Sequence, residues 1–214
     1  MDSSWNMPRL RGFLWCWIAL AIFMFWSPEQ AEASHFRGGD LTYVVTSGRT
    51  VKFTVDAYIR IGSSGGNGTL YFGDGKSQYF NPSSSRNQYL RRSTVTHTYS
   101  KDGTFTANWG SCCWISGISN RSSSWNHSIK VRIYSGHKGG PYFASPTFFQ
   151  ICHGAKWTGN MNGIDREKGG TVSYKLSSAP SGMTVNSSTG LISWPSPVKS
   201  PNKHVFTLIG TSSK

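Results

Sequence analysis

The residues best able to do chemistry crowd into one stretch, GSCCWISGISNRSSSWNHS (Gly110 to Ser128), which sets Cys112 beside Cys113 and carries two Asn-x-Ser sequons. The chain's other cysteines are Cys16 and Cys152. Thiols can bind metal or pair as disulfides, and spacing sorts these options. Structural zinc sites draw on separated Cys-x-x-Cys pairs, so Cys112, Cys113, Cys152 and His153 form an awkward tetrahedral set. Adjacent strand residues point to opposite faces, and a bond between the two neighbours needs a strained ring. The expectation is therefore one disulfide from Cys112 or Cys113 to Cys152, with the remaining thiol available to give a disulfide-linked dimer. Such a staple closes a loop of about 40 residues and contributes roughly 3–4 kcal/mol on the chain-entropy account.

Asp74 and His97 invite a Ser/His/Asp reading. The simpler account makes Asp74 a hydrogen-bond anchor in a turn and puts His97 on a strand. The six histidines (His35, His97, His127, His137, His153, His204) are scattered, and no nucleophile elbow, His-Glu-x-x-His or phosphate loop occurs. No catalytic, cofactor-binding or metal-ligating residue is expected, and the chain reads as a non-enzyme without cofactors. Its polar chemistry points instead to modification and contact. Sequons lie at Asn67, Asn120, Asn126 and Asn186, each in an expected turn or loop where a glycosylating enzyme can reach. Trp114 and Trp125, with Arg91, Arg92, Arg121 and Arg86, combine ring faces with guanidinium groups, which suits sugars and anions. Trp109 and Trp194 read as core.

What exports and charges these residues comes before them. Arg9 and Arg11 precede the apolar run Phe13 to Trp26, and Ala31-Glu32-Ala33 follows, the pattern of a secretory signal peptide over residues 1–33. The run falls short of the roughly 20 residues a membrane span needs, and no later segment is long enough. Removing residues 1–33 deletes Arg9, Arg11, Asp2, Glu29 and Glu32, leaving 20 Lys and Arg against 6 Asp and Glu, so the formal charge moves from +13 to +14. Outside the cell such a surface favours acidic polysaccharides and glycoproteins. Dispersed charges and the lack of a recognition motif argue against nucleic acid.

The positioning elements are strands. From Val51 to Ile59 apolar and polar residues alternate, and the pattern returns from Ser128 to Tyr134. Shorter strands are expected at Leu41–Thr46, Thr69–Phe72, Thr94–Tyr99 and Thr104–Trp109. Turns at Ser47-Gly48, residues 65–68 and Lys101-Asp102-Gly103 separate them. After a Gly/Pro/Ser-rich linker at residues 137–146, a second block offers strands at Thr147–Cys152, Thr171–Leu176, Gly190–Trp194 and His204–Ile209. The fold class is all-β, and many short strands punctuated by turns suggest a sandwich in each block.

GTLYFGDGKSQ (residues 68–78) followed by VTHTYSKDGTFTANW (residues 95–109) resembles the PKD domains of extracellular proteins, through Phe72, Gly73, Asp74, Gly75, His97, Tyr99, Gly103 and Phe105. GGTVSYKLSSAPSGMTVNSSTGLISWPSP (residues 169–197) resembles cadherin-like immunoglobulin modules, through Tyr174, Leu176, Pro180, Gly182, Met183, Gly190, Leu191, Ile192 and Trp194. The resemblance implies two immunoglobulin-like sandwiches, a PKD-like one over residues 34–136 and a cadherin-like one over 147–214, which ends close behind its last recognisable strand. Cadherin-like modules often hold calcium on an acidic cluster; here Asp165 and Glu167 flank Arg166, a poor oxygen set. The function implied is a secreted binding, adhesion or matrix protein that contacts acidic glycans or glycoproteins. Alternatives are a matrix protein crosslinked through an unpaired cysteine and an accessory module of a secreted hydrolase. Export makes a direct prediction: mass spectrometry of the protein recovered from culture medium gives an N-terminus at Ser34, and one at Met1 refutes the cleavage site.

Overall fold

Alternation dictates the centre of the first block. Val51, Phe53, Val55, Ala57 and Ile59 are at most 1% exposed, whereas Lys52 between them is open to water. The computed structural model describes residues 36–63, 65–82, 84–85, 89–112, 114–118, 124–198 and 203–214, without the side chains at 84, 85, 111 and 112. Residues 1–35, which include the expected signal peptide, and Arg86, Cys113, Asn120 and Arg121 lie outside the described residues. Among the described residues there is no helix, and the all-β, immunoglobulin-like sandwich expected from the sequence is the fold.

The first block contains β1 (Phe36–Ser47), β2 (Thr50–Ile59), β3 (Gly68–Tyr71), β4 (Ser77–Phe80), β5 (Ser84–Ser85), β6 (Leu90–Thr98), β7 (Gly103–Cys112) and β8 (Ser124–Ile133). They form two antiparallel sheets, ordered β1-β2-β6-β5 and β4-β3-β7-β8. Their inward side chains share one core in which Phe53, Leu70, Trp109, Tyr99 and Val131 are essentially inaccessible. Phe36 stacks on Trp125 with ring centres 3.7 Å apart, and Trp109 meets Trp125 edge-on at 4.5 Å. Each such aromatic pair adds about 0.5–1.5 kcal/mol beyond area burial.

The second block contains β9 (Tyr142–Phe143), β10 (Trp157–Asn160), β11 (Gly163–Ile164), β12 (Val172–Ser178), β13 (Thr184–Val185), β14 (Leu191–Trp194) and β15 (Thr207–Ser212). They pair as β10-β14-β13, β11-β9 and β12-β15. Two sequence expectations need correcting here. Thr147–Cys152 contains no strand, because its rings pack outward from the chain individually: Phe148 stacks beside Tyr89, and Phe149 tilts against Trp157. The last strand begins at Thr207 and not His204, since pairing with β12 runs only from Thr207 to Ser212 while His204 packs edge-on against Trp194. Ser34–Lys214 forms one unit. Within it the blocks are fastened by the bridge Val44↔Gly139, by Arg132 Nη1 donating to the Lys214 carbonyl, and by the bridge Ile118↔Lys203.

The turn after β3 behaves as its glycines require. Gly73 and Gly75 have φ of 84° and 87°, and Lys76 N–H donates to Asp74 Oδ1 at 3.1 Å. Tyr99, buried in the core, donates its hydroxyl to the Phe72 carbonyl at 2.9 Å. A Cβ at position 73 would lie 2.5 Å from the Thr106 carbonyl oxygen, inside hard contact. Left-handed strain of about 1 kcal/mol then adds to a backbone clash. Gly73→Ala is expected to lower unfolding free energy by roughly 2–4 kcal/mol, whereas Gly75→Ala, with nothing within 4 Å of its Cβ, costs only about 1 kcal/mol. Urea denaturation of the two variants measures the gap.

Candidate functional site

Asp74 and His97 do meet. His97 Nε2 lies 2.8 Å from Asp74 Oδ2, its ring face stacks on Phe72 at 3.9 Å, and Tyr99 packs against it edge-on at 4.6 Å. Burial alone would raise the Asp74 carboxyl, but the His97 bond, the Lys76 N–H and the His97 charge hold it below the ordinary carboxylate value. The pair ties the turn after β3 to β6. This is the anchoring role expected for Asp74, extended by an imidazole.

A second polar chain was not legible in the sequence. Tyr43, on β1, receives the Arg132 backbone N–H at 3.0 Å and lies 3.0 Å from His137 Nε2; His137 Nδ1 lies 2.8 Å from Glu167 Oε1, which also accepts the Lys138 N–H at 2.7 Å. Burial lowers the His137 pKa, with the Glu167 charge opposing it, so the ring is neutral at pH 7. That state fits a Tyr43 hydroxyl donating to Nε2 and an Nδ1–H facing Glu167. Tyr43 and His137 are 3% and 5% exposed, so no substrate reaches the hydroxyl. The chain fastens β1 of the first block to the second.

The third cluster is acidic. Asp40 on β1 stands opposite Asp56 on β2, which stands opposite Arg92 on β6. Arg92 Nε donates to Asp56 Oδ1 at 2.6 Å, and Nη2 engages Oδ2. Burial pushes the Asp40 carboxyl up to about 6; its bond with the Leu41 backbone opposes this, the Asp56 charge adds to the rise and Arg92 offsets part of it. Arg92, expected to meet ligand, is thus the partner of a half-buried carboxylate. Arg91 lies opposite Ala57, its side chain against Gly66.

Trp114 and Trp125 are brought together, in the wall of a groove of about 700 Å³ between the blocks. Phe148, Phe149, Trp157 and Trp194 also line it, with Arg37 and Lys203 on the same wall. Trp125 is 9% exposed under Phe36, and Trp114 donates its indole N–H to the Ser124 carbonyl at 3.2 Å. Arg37 sits 5.5 Å from the centre of the Phe148 ring, and Lys203 Nζ donates to the Ser116 carbonyl. Arg91 and Arg92 are not in this wall.

Cys112 closes β7 opposite Ser124, and Cys152 is an exposed free cysteine. The Cys112 side chain and all of Cys113 fall outside the described residues. Asn186 caps its own turn, accepting from the Ser188 and Thr189 N–H groups. Asn67 is exposed beside Tyr79, whose hydroxyl meets its amide nitrogen. Asn126 is not in a loop; it occupies an exposed position of β8 opposite Gly110. The ladder there continues because residue 110 has no side chain: a Cβ would lie 2.6 Å from the Trp125 carbonyl. Asp165 and Glu167 already accept bonds from Ser212 Oγ and Lys138 N–H respectively. Among the described residues no three of His, Cys, Asp or Glu gather as a metal site.

Residues 37–134 match the family described as Integrin beta-like protein A-E, N-terminal, and residues 155–214 match the one described as Putative Ig domain. No curated protein and no solved structure matches the chain. An immunoglobulin-like domain is thereby supported, and neither match carries the narrower PKD or cadherin label. Among the described residues no helix is long and apolar enough to cross a membrane.

Asp40 makes the site's pH dependence testable. Its folded pKa stands above the unfolded value of about 3.8. Between the two, the folded chain holds a proton the unfolded chain has released, so stability falls as pH rises from about 4 through 6 and the deficit is complete above that. Asp40→Asn removes the deficit. Urea unfolding should show a gain that is absent near pH 4 and reaches about 2–3 kcal/mol at pH 7.5; a gain independent of pH refutes the assignment.

Proposed function

We propose that this chain is a secreted or surface-displayed, non-enzymatic contact protein whose sandwich scaffold presents basic and aromatic surface to acidic glycans or glycoproteins. One observation carries the reading. All six carboxylates of Ser34–Lys214 are engaged within the chain: Asp40 is half-buried on β1 opposite Asp56, Asp56 pairs with Arg92, Asp74 with His97, Asp102 with Arg49 at the surface, Asp165 with Ser212, and Glu167 stands against His137. Against these six stand the 20 Lys and Arg of the same segment, a net formal excess of 14 positive charges that draws in anionic partners.

The match of the first block to a domain of integrin beta-like proteins supports a place at the cell surface or outside it. The locks described above support the non-enzymatic part, since the two histidine–carboxylate pairs hold a turn and a block contact. A PKD-like first block is supported by Gly73, Asp74, Gly75 and Tyr99 acting together as that pattern requires. A second reading, a matrix component crosslinked by a thiol, draws on the exposed Cys152; a covalent dimer on a non-reducing gel supports it and a clean monomer counts against it.

Charge contact has a salt signature. The protein should be retained on a sulfated polysaccharide column at about 0.1 M salt and released well before 1 M, as the screening length drops from about 10 to 3 Å. Passage through the column at low salt refutes the proposal.

A further inference from the structure

The outward face of the sheet β4-β3-β7-β8 has a composition that ordinary solvent exposure does not demand. None of the four strands contains an Asp or Glu. Tyr71 and Tyr79 stand out from it at 52% and 58% exposure, among the most exposed large hydrophobic side chains of the described residues. Register places them on one surface. Tyr71 lies opposite both Ser77 and Asn108, Asn108 lies opposite Ser128, and Tyr79 lies opposite Thr69. One row of hydroxyls and amides therefore crosses all four strands beside the two rings. Thr106 and Lys130 form the next row, and Lys130 is exposed. Tyr71 and Tyr79 are diagonal neighbours on adjacent strands, which brings long side chains into a common patch roughly 7–8 Å across. The amide of Asn67 meets the Tyr79 hydroxyl and holds that ring in place, so little rotamer freedom remains to be lost on binding.

We propose that this face is a docking platform for an anionic polysaccharide, with sugar rings lying on Tyr71 and Tyr79, hydroxyls meeting Asn108 and Ser128, and sulfate or carboxylate groups drawn to Lys130. The proposal rests on the contact role argued above and gives it a location away from the aromatic groove. Charge complementarity selects the occupant: a polymer of negative sign meets no carboxylate on these strands, and flat exposed rings favour sugar faces over an extended acidic peptide.

The test compares dextran sulfate, its uncharged parent dextran, and polyglutamate as an acidic polymer without sugar rings, binding to the full chain by affinity electrophoresis. The variants are Tyr71→Ala/Tyr79→Ala, Lys130→Ala, and Lys52→Ala as a control on the other sheet. Both tyrosines point outward, so the urea midpoint should stay at the wild-type value and confirm folding. The expected result is a loss of about tenfold in dextran sulfate affinity for the double tyrosine variant, with polyglutamate binding unchanged, a several-fold loss for Lys130→Ala and none for Lys52→Ala. Wild-type affinity for dextran sulfate in the double tyrosine variant overturns the platform and leaves the broader contact role standing. An equal loss for both anionic polymers overturns the sugar-stacking assignment. Failure of the wild-type chain to bind dextran sulfate removes the contact role as well.

Discussion

One side of β2 gives up water completely, and the rest of the molecule is arranged to make that possible. Burying a large apolar side chain returns about 1.5–3 kcal/mol, while ordering each backbone residue costs about 1–2. On an alternating strand only every second residue is buried, so a strand by itself comes out close to neutral. Val51, Phe53, Val55, Ala57 and Ile59 can be dry only because β1 and β6 flank them and the second sheet covers them with Leu70, Trp109 and Val131. The surplus must come from elsewhere: from the aromatic contacts of Phe36, Trp109 and Trp125, and from turns that need little further ordering.

Polar locks occupy the points where alternation says nothing. The Tyr99 hydroxyl fixes the chain at Phe72, the Asp74–His97 pair joins that turn to β6, and the Tyr43–His137–Glu167 chain joins the blocks. In a low-dielectric setting each is favourable only if fully satisfied, and removing one partner leaves the other stranded. The Tyr43 hydroxyl meets this, accepting one backbone N–H and lying 3.0 Å from His137 Nε2, whereas His137 Nδ1, though 2.8 Å from Glu167 Oε1, makes no well-aligned hydrogen bond. Asp40 is a second exception. It sits across from Asp56, whose charge is already matched by Arg92.

Much of the first block was legible because period-two alternation and glycine-dependent turns are local signals. Val51–Ile59, Ser128–Tyr134, which overlaps β8 as far as Ile133, and the Gly73-Asp74-Gly75 turn needed no tertiary information to read. The second block was harder for the same reason. Phe148, Phe149 and Cys152 look like a strand in composition, but each ring finds its own partner and no ladder forms. Trp157–Asn160 pairs with β14 although its sequence, Trp-Thr-Gly-Asn, carries no strand pattern. The locks were mostly invisible. His137 and Glu167 are 30 residues apart in a segment of ordinary loop composition, and only the approach of β1 makes them neighbours. Arg92 looked like a contact residue because its pairing depends on a cross-strand register that composition does not reveal.

The same locks decide where charge remains. A basic protein could scatter its few acids evenly over the surface and so dilute its own field. Here each carboxylate sits against a backbone N–H, a hydroxyl, an arginine or an imidazole, and the strands of the β4-β3-β7-β8 sheet carry none. The engaged acids of the turns and block contacts are thereby kept off the outward face of that sheet, where a carboxylate would repel an anionic partner. The outward residues of that sheet need no packing and can be polar or aromatic at little cost. In the proposed contact role, such a surface would lie along a polymer, where many weak contacts in register add up.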